Sequence, residues 1–331
     1  MNEGAICIGS DSALRYWRSV RSTGGSSQQG QETPETFGAR SMGLTQKVSR
    51  ARKLCFVDDD QPIDLVNGGP FERCYLMDVC NHKWRAPLGS SQLVCVEAGI
   101  FACRPPVVIA QLGSELDEVS LAQIACELMG TYGLVPWADD DLAGDVEPLA
   151  TLLECQEYAM AARALRVRGA SRACKALQIS APNSGSPRET DIAIYFQLGR
   201  PGGGAGLGGF AMNPKVVVPS ELWALAGQEV IKPDFCWQGA KVACEYDSDE
   251  NHLNSRQKTK DERRRVTLEA MGYKVMTLTN GILKSDEALN AFTAELERQL
   301  GIRRNPLNAN MIAKRRELRN RLFGSEPIWT R

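Results

Sequence analysis

Apolar and polar positions along this chain switch between two periods. Over Ser120 to Tyr132, Leu121, Ile124, Ala125 and Leu128 recur at helical spacing and predict an amphipathic helix. Pro148 to Arg168 predicts a second helix, and Ser12 to Trp17 a short one. The apolar runs Lys53 to Val57 and Leu93 to Val96 predict strands, so the first half is expected to be mixed α/β. From Glu229 the pattern sharpens. Val230 to Trp237, a Gln238-Gly239 turn and Lys241 to Asp247 predict a β-hairpin. Gln257 to Met271 predicts a charged helix that keeps Val266, Leu268 and Met271 for packing. Gly272 caps it before a strand over Lys274 to Thr279. Upstream, Ser186 to Phe196 predicts an apolar helix, and Met311 to Phe323 a basic amphipathic one.

Two stretches break these periods. Residues 22 to 36 are polar and Gly-rich, too poor in apolar groups to offset the entropy of ordering, and predict a mobile loop. Arg200 to Phe210 is also Gly-rich, and Gly204 to Gly209 satisfies G-x-G-x-x-G. A dinucleotide fingerprint must follow a strand and open a helix, whereas here two prolines and Val216-Val217-Val218 follow. The run predicts a flexible loop and no cofactor.

At 331 residues, two domains are expected, with a further basic tail. Residues 1–180 form the mixed α/β part, 181–300 the second domain and 301–331 a basic C-terminal helix. An apolar fraction of 43% and a charged fraction of 24% exclude collagenous, coiled-coil and wholly disordered classes. Without a bilayer-length apolar run or a leader pattern, no membrane partner is expected. Eleven cysteines with no C-x-x-C pair read as free thiols in a reducing cytoplasm. His82 lies near Cys74 and Cys80, but no partner follows at zinc-finger spacing, so no zinc is expected there. Charge is uneven: 22 Lys/Arg against 30 Asp/Glu before Glu250, and 17 against 10 from Glu250 on. The two parts carry −8 and +7. A basic segment suits a polyanion, although charged surface helices give the same asymmetry.

Glu245 and Asp247 share a strand face, and Asp234 lies across the hairpin from that end. Three carboxylates in a small volume repel unless a cation neutralises them, and oxygen ligands suit Mg²⁺ or Mn²⁺. The alternative is a solvated hairpin end.

The ordered set Lys232-Pro233-Asp234-Phe235, Glu245-Tyr246-Asp247, His252, Asp261-Glu262-Arg263-Arg264 and Gly272-Tyr273-Lys274-Val275 resembles the PD-(D/E)XK nuclease superfamily. Within it, the set resembles the very-short-patch-repair-like endonucleases. The resemblance spans residues 184 to 300 and implies a restriction-endonuclease-like α-β-β-β-α-β core, DNA as substrate and metal-assisted phosphodiester hydrolysis. It implies Asp234, Glu245 and Asp247 as metal ligands. Glu189 joins them as the acid of the first helix, or serves only the dipole of that helix. His252 would protonate the leaving oxygen or hold the phosphate, or is a loop residue without a role. The superfamily lysine two positions after the Glu is replaced by Asp247. Lys258, Lys260 or Lys241 would then supply its charge, or are solvated lysines. Arg256, Arg264, Arg265, Arg315 and Arg316 are the expected phosphate contacts.

Gly99 to Pro106 followed by Leu121 to Tyr132 resembles the regulatory portion of AbiEi-type antitoxins, although the winged helix expected before it is not visible. That likeness implies a toxin or other defence partner. It also keeps open a non-catalytic DNA-binding regulator that retains the nuclease fold. A plain interaction scaffold, with diverging carboxylates, is the third reading.

Overall fold

The computed structural model describes residues 4–22, 43–58, 60–135, 137, 142–247 and 255–324, with the side chains of 255–259 outside that set. Residues 23–36 of the expected mobile loop and His252 lie outside the described residues. The structure is mixed α/β and divides into two compact units, Met1–Pro182 and Asn183–Arg331. The basic C-terminal helix belongs to the second unit and does not form one of its own.

The first unit runs β1 (Ile6–Ile8), α1 (Ser10–Ser22), α2 (Leu44–Leu54), β2 (Ile63–Asn67), β3 (Val79–Lys83), β4 (Leu93–Glu97) and β5 (Ile100–Cys103). It continues with α3 (Pro105–Leu112), α4 (Glu118–Leu128), β6 (Tyr132–Leu134), β7 (Leu142–Gly144), α5 (Leu152–Ala164) and α6 (Ala170–Gln178). Five strands pair in the order β3-β2-β1-β5-β4, and β6 and β7 form a separate hairpin. Asp117 starts α4 by accepting the amides of Val119 and Ser120. A reciprocal Thr151 and Glu154 pair starts α5. The helix expected over 148–168 stops at Leu165, because Arg166 turns into the left-handed region at φ 56°. Lys53 to Val57 is not a strand: Lys53 and Leu54 end α2 and the chain then turns. A short apolar run fits a strand or a helix end, and here burial of Val48, Ala51 and Cys55 on one side decided for helix.

One buried arginine ties this unit together. The Arg21 guanidinium, at the end of α1, donates to the carbonyls of Glu127, Leu128, Gly130, Tyr132 and Glu147. At the C-terminus of α4 it adds to the amides of Gly130 and Leu149, which already bond the Glu127 and Leu128 carbonyls.

The second unit runs α7 (Pro187–Gln197), a 3₁₀ turn (Arg200–Gly202), β8 (Ala211–Met212), β9 (Val216–Val217), α8 (Trp223–Ala226), β10 (Val230–Ile231) and β11 (Phe235–Trp237). After β12 (Val242–Asp247) come α9 (Ser255–Ala270), β13 (Lys274–Thr279), α10 (Asn280–Lys284), α11 (Asp286–Gln299) and α12 (Ala309–Phe323). The main sheet has the order β13-β12-β11-β8, antiparallel except for the β12/β13 pair, which α9 connects. The elements α7, β8, β11, β12, α9 and β13 thus follow as α-β-β-β-α-β, with the small β9/β10 sheet inserted.

The hairpin differs from its expected form in two ways. Val230 to Trp237 is broken at Lys232-Pro233, because proline has no N–H for a ladder bond, and β10 pairs with β9 instead. The connection is also longer than two residues: Gln238–Ala240 form a 3₁₀ turn, and Lys241 closes it at φ 52°.

The Gly-rich run 200–210 is clamped rather than flexible. The amides of Ala205, Gly206 and Leu207 donate to carbonyls of Tyr195, Leu198 and Phe196. Arg304 and Arg315 bond the carbonyls of Gly204, Ala205 and Gly206. A Cβ on Gly203 would lie 2.4 Å from the Lys314 carbonyl oxygen, and one on Gly204 2.0 Å from that of Leu198. The glycines are there because backbones meet, not because the chain must move. Beneath them Phe196, Phe210, Phe235 and Trp237 pack edge to face, with centroids 5.2–6.0 Å apart.

Candidate functional site

The β11/β12 register places Asp234 opposite Glu245, one step beyond the Phe235 and Cys244 pair. Antiparallel partners lie on one face, so both carboxylates reach the same cleft. The cleft has a volume of about 230 Å³, and Asp234, Glu245, Asp247, Asp261, Arg264, Arg265 and Thr277 line it. Asp234 Oδ2 accepts the Tyr246 amide at 2.7 Å, and its Oδ1 accepts no hydrogen bond from the described residues. Burial, then the charges of Glu245 and Glu189, hold the Asp234 carboxyl well above the usual range. Burial also raises Glu245, opposed chiefly by Arg264.

Glu189 sits at the start of α7. Its carboxylate accepts from Gly185 N at 2.9 Å, Ser186 Oγ at 3.1 Å and Asn213 Nδ2 at 2.8 Å. It therefore closes the helix cap, and its charge also reaches Asp234 and Glu245. Asp247 is exposed at the end of β12, on the cleft wall. Among the described residues, Asp234, Glu245 and Asp247 do not bring three ligand atoms within 4.8 Å of one another. The set that does is elsewhere, in the first unit: Asp64, Cys80 and His82.

The basic candidates separate sharply. Arg264 Nη2 donates to the Lys232 carbonyl at 2.6 Å and to both Glu245 oxygens at 3.2 Å, so it belongs to the cleft itself. Arg265 pairs with Glu262 and Glu269 along α9, and Arg316 pairs with Asp286. Arg315 is not on the surface expected of it. It is 7% exposed, bonded to Asn290 and Gly204 and stacked on Tyr195, and so serves the fold. Lys241 is at the wrong end of β12, roughly 20 Å of strand from Asp247, where its Nζ bonds the Met271 carbonyl. Lys260 is exposed, with no acidic partner among the described residues. The side chains of Arg256 and Lys258, and all of His252, lie outside those residues.

Sequence reading placed Asp261 in a motif but not in the cleft, because its distance to Glu245 depends on how α9 crosses back to β13. It also missed Asp64 altogether. Cys80 and His82, two apart, were a visible hint; the aspartate comes from the neighbouring strand and has no local signal.

No family model matches the chain, and no curated protein or solved structure matches it.

Proposed function

We propose that the second unit is an endonuclease-like unit of restriction-endonuclease-like fold that hydrolyses DNA phosphodiesters with Mg²⁺ or Mn²⁺. Its setting would be repair or defence against foreign DNA. One observation carries the reading: Asp234 and Glu245 are packed side by side in a cleft, with the Asp234 carboxyl driven upward by burial and by its neighbour's charge. Like charges so placed destabilise the fold unless a cation joins them. The α-β-β-β-α-β order supports it.

The donor set fits a hard cation: Asp234 Oδ1 accepts no hydrogen bond from the described residues, Glu245 is adjacent and Asp247 stands on the wall. Asp234 and Glu245 would hold the ion, with Asp247 beside them. The bound ion would supply an activated water and charge stabilisation on the phosphoryl group. Arg264 keeps its Nε and Nη1 donors without a partner among the described residues while Nη2 is anchored. It presents those donors to a phosphate, and Lys260 adds positive charge nearby.

Arg264 also favours the second reading, a DNA-binding regulator without catalysis. Its guanidinium already neutralises part of Glu245, and Asp247 stands where the superfamily has lysine. Supercoiled DNA incubated with the protein and Mg²⁺ or Mn²⁺ separates the two. Nicking that disappears in Asp234→Ala and Glu245→Ala, both still folded by circular dichroism, supports hydrolysis. Tight binding with no nicking under either ion overturns it in favour of the regulator.

A further inference from the structure

We propose that the first unit holds a transition-metal ion of the Zn²⁺ class on Asp64, Cys80 and His82. This centre is separate from the carboxylate cleft and goes beyond the reading given above. β2 and β3 run parallel with Asp64 beside Cys80 and Val66 beside His82, so the three side chains share one face of the sheet. One ligand atom from each lies within 4.8 Å of the other two, and His82 Nε2 is 2.7 Å from Asp64 Oδ1. A tetrahedral ion with bonds of about 2.0 Å to N and O and about 2.3 Å to S needs its ligands roughly 3.3–3.6 Å apart. The His82–Asp64 contact must open by about half an ångström, and the sulfur, already within 4.8 Å of both partners, must settle at the same spacing. Rotamer adjustment on two neighbouring strands is enough for both.

The surroundings are those of a supported site. Asp64 Oδ2 accepts from Ser12 N at 3.2 Å and from Ser12 Oγ at 3.0 Å, which orients the carboxylate and leaves Oδ1 for the ion. Asn81, between the two β3 ligands, points to the other face and is bonded to the amide and carbonyl of Cys74. Cys74 is therefore held away, and the third side chain beside Cys80 and His82 is Asp64; the sequence reading expected no zinc here. Of the eleven cysteines, ten are buried or half-buried and Cys80 alone is exposed. A cleft of about 380 Å³ lined by His82 and Gln111 gives an entry path.

Two competing roles fit less well. In a Cys-His nucleophilic pair the thiol would bond the imidazole, but His82 Nε2 is turned to Asp64 Oδ1 at 2.7 Å. A hard cation would need an excess of negative charge. The same cleft carries Lys83, Arg85, Arg166 and Arg168, none with an acidic partner among the described residues, while the acidic charges that reach His82 are those of Asp64 and Glu115. Affinity must then come from thiolate and imidazole bonding, which selects Zn²⁺ or Co²⁺ over Mg²⁺. On binding, the thiol proton leaves to solvent, and carboxylate and thiolate balance the dication, with one position open to water.

The test is titration of the full chain, stripped of metal, with Co²⁺. The expected result is one Co²⁺ per chain with a thiolate-to-cobalt charge-transfer band, displaced by Zn²⁺ and unmoved by millimolar Mg²⁺. Cys80→Ser loses the band. Asp64→Asn and His82→Ala bind at least ten-fold more weakly. Cys74→Ser and Asp234→Ala keep the wild-type spectrum, so loss of the nuclease reading would leave this result intact. Because Cys80 is exposed, metal-free Cys80→Ser should melt with metal-free wild type, and Zn²⁺ should raise the melting temperature of the wild type alone. A wild-type chain that binds no stoichiometric Co²⁺, or a band that survives Cys80→Ser, overturns the proposal.

Discussion

Asp234 lies opposite Glu245 one step beyond the last pair of the β11/β12 ladder, and its carboxylate accepts the amide of Tyr246, the residue after Glu245. Burial, Glu245 and Glu189 raise the Asp234 carboxyl, while that backbone hydrogen bond and the charge of Arg264 lower it. The raising influences win.

That direction has a pH signature. A carboxyl raised in the folded state binds its proton more tightly there than in the unfolded chain. Stability therefore falls as pH climbs from the ordinary carboxylate value of about 4 through the folded value. Asp234→Asn removes this penalty. In chelator-containing buffer its melting temperature should exceed that of wild type by about 2 °C or more at pH 7, with the gap closing near pH 4. Thermal unfolding between pH 3 and 8 checks it; parallel curves for the two proteins would contradict the assignment.

Arg264 and a divalent ion compete for Glu245. In Arg264→Ala both Glu245 oxygens become available and a positive charge leaves the cleft, so Mn²⁺ affinity should rise by about ten-fold, or ~1.4 kcal/mol. DNA nicking should fall, because the guanidinium that meets the phosphate is gone. Calorimetric titration of Mn²⁺ decides this, and weaker binding in the variant would show that Arg264 supports the ion rather than excluding it.

The clamped loop predicts graded damage. Gly203→Ala, at φ 95° and 2.4 Å from a carbonyl, should destabilise by about 2–4 kcal/mol, and Gly204→Ala, at 2.0 Å, by a similar amount. Gly209→Ala meets nothing within 4 Å and bears only the strain of φ 83°, about 1 kcal/mol. Denaturant midpoints of the three variants should keep that order.

Arg21→Met should cost about 3–5 kcal/mol, since it removes at once the guanidinium bonds to the Glu127, Gly130 and Glu147 carbonyls. Arg21→Lys should recover little, because an ammonium cannot span carbonyls from both Glu127 and Glu147. Urea unfolding of the metal-free protein measures both.

Local periodicity made the helices near 120, 152, 187, 257 and 311 readable, because the side chains that define one face lie three or four residues apart. Lys53 to Val57 failed for the same reason in reverse: five residues sample too little of either period. Asp234 and Glu245 could be paired from sequence because a tight hairpin turns distance along the chain into a register. Arg315 could not be distinguished from Arg316, since a basic helix does not reveal which face α7 and the glycine loop will cover.

From its sequence alone this protein was bound to have a mixed α/β build, an acid-bearing hairpin and a charged helix after it, all set by neighbours within about a dozen residues. Tertiary structure alone decided that Arg264 meets Glu245, that a glycine run is pinned by two arginines, and that Asp64 joins Cys80 and His82. Each of those contacts crosses between elements, and strand pairing and helix docking, which residue spacing does not encode, set the distance.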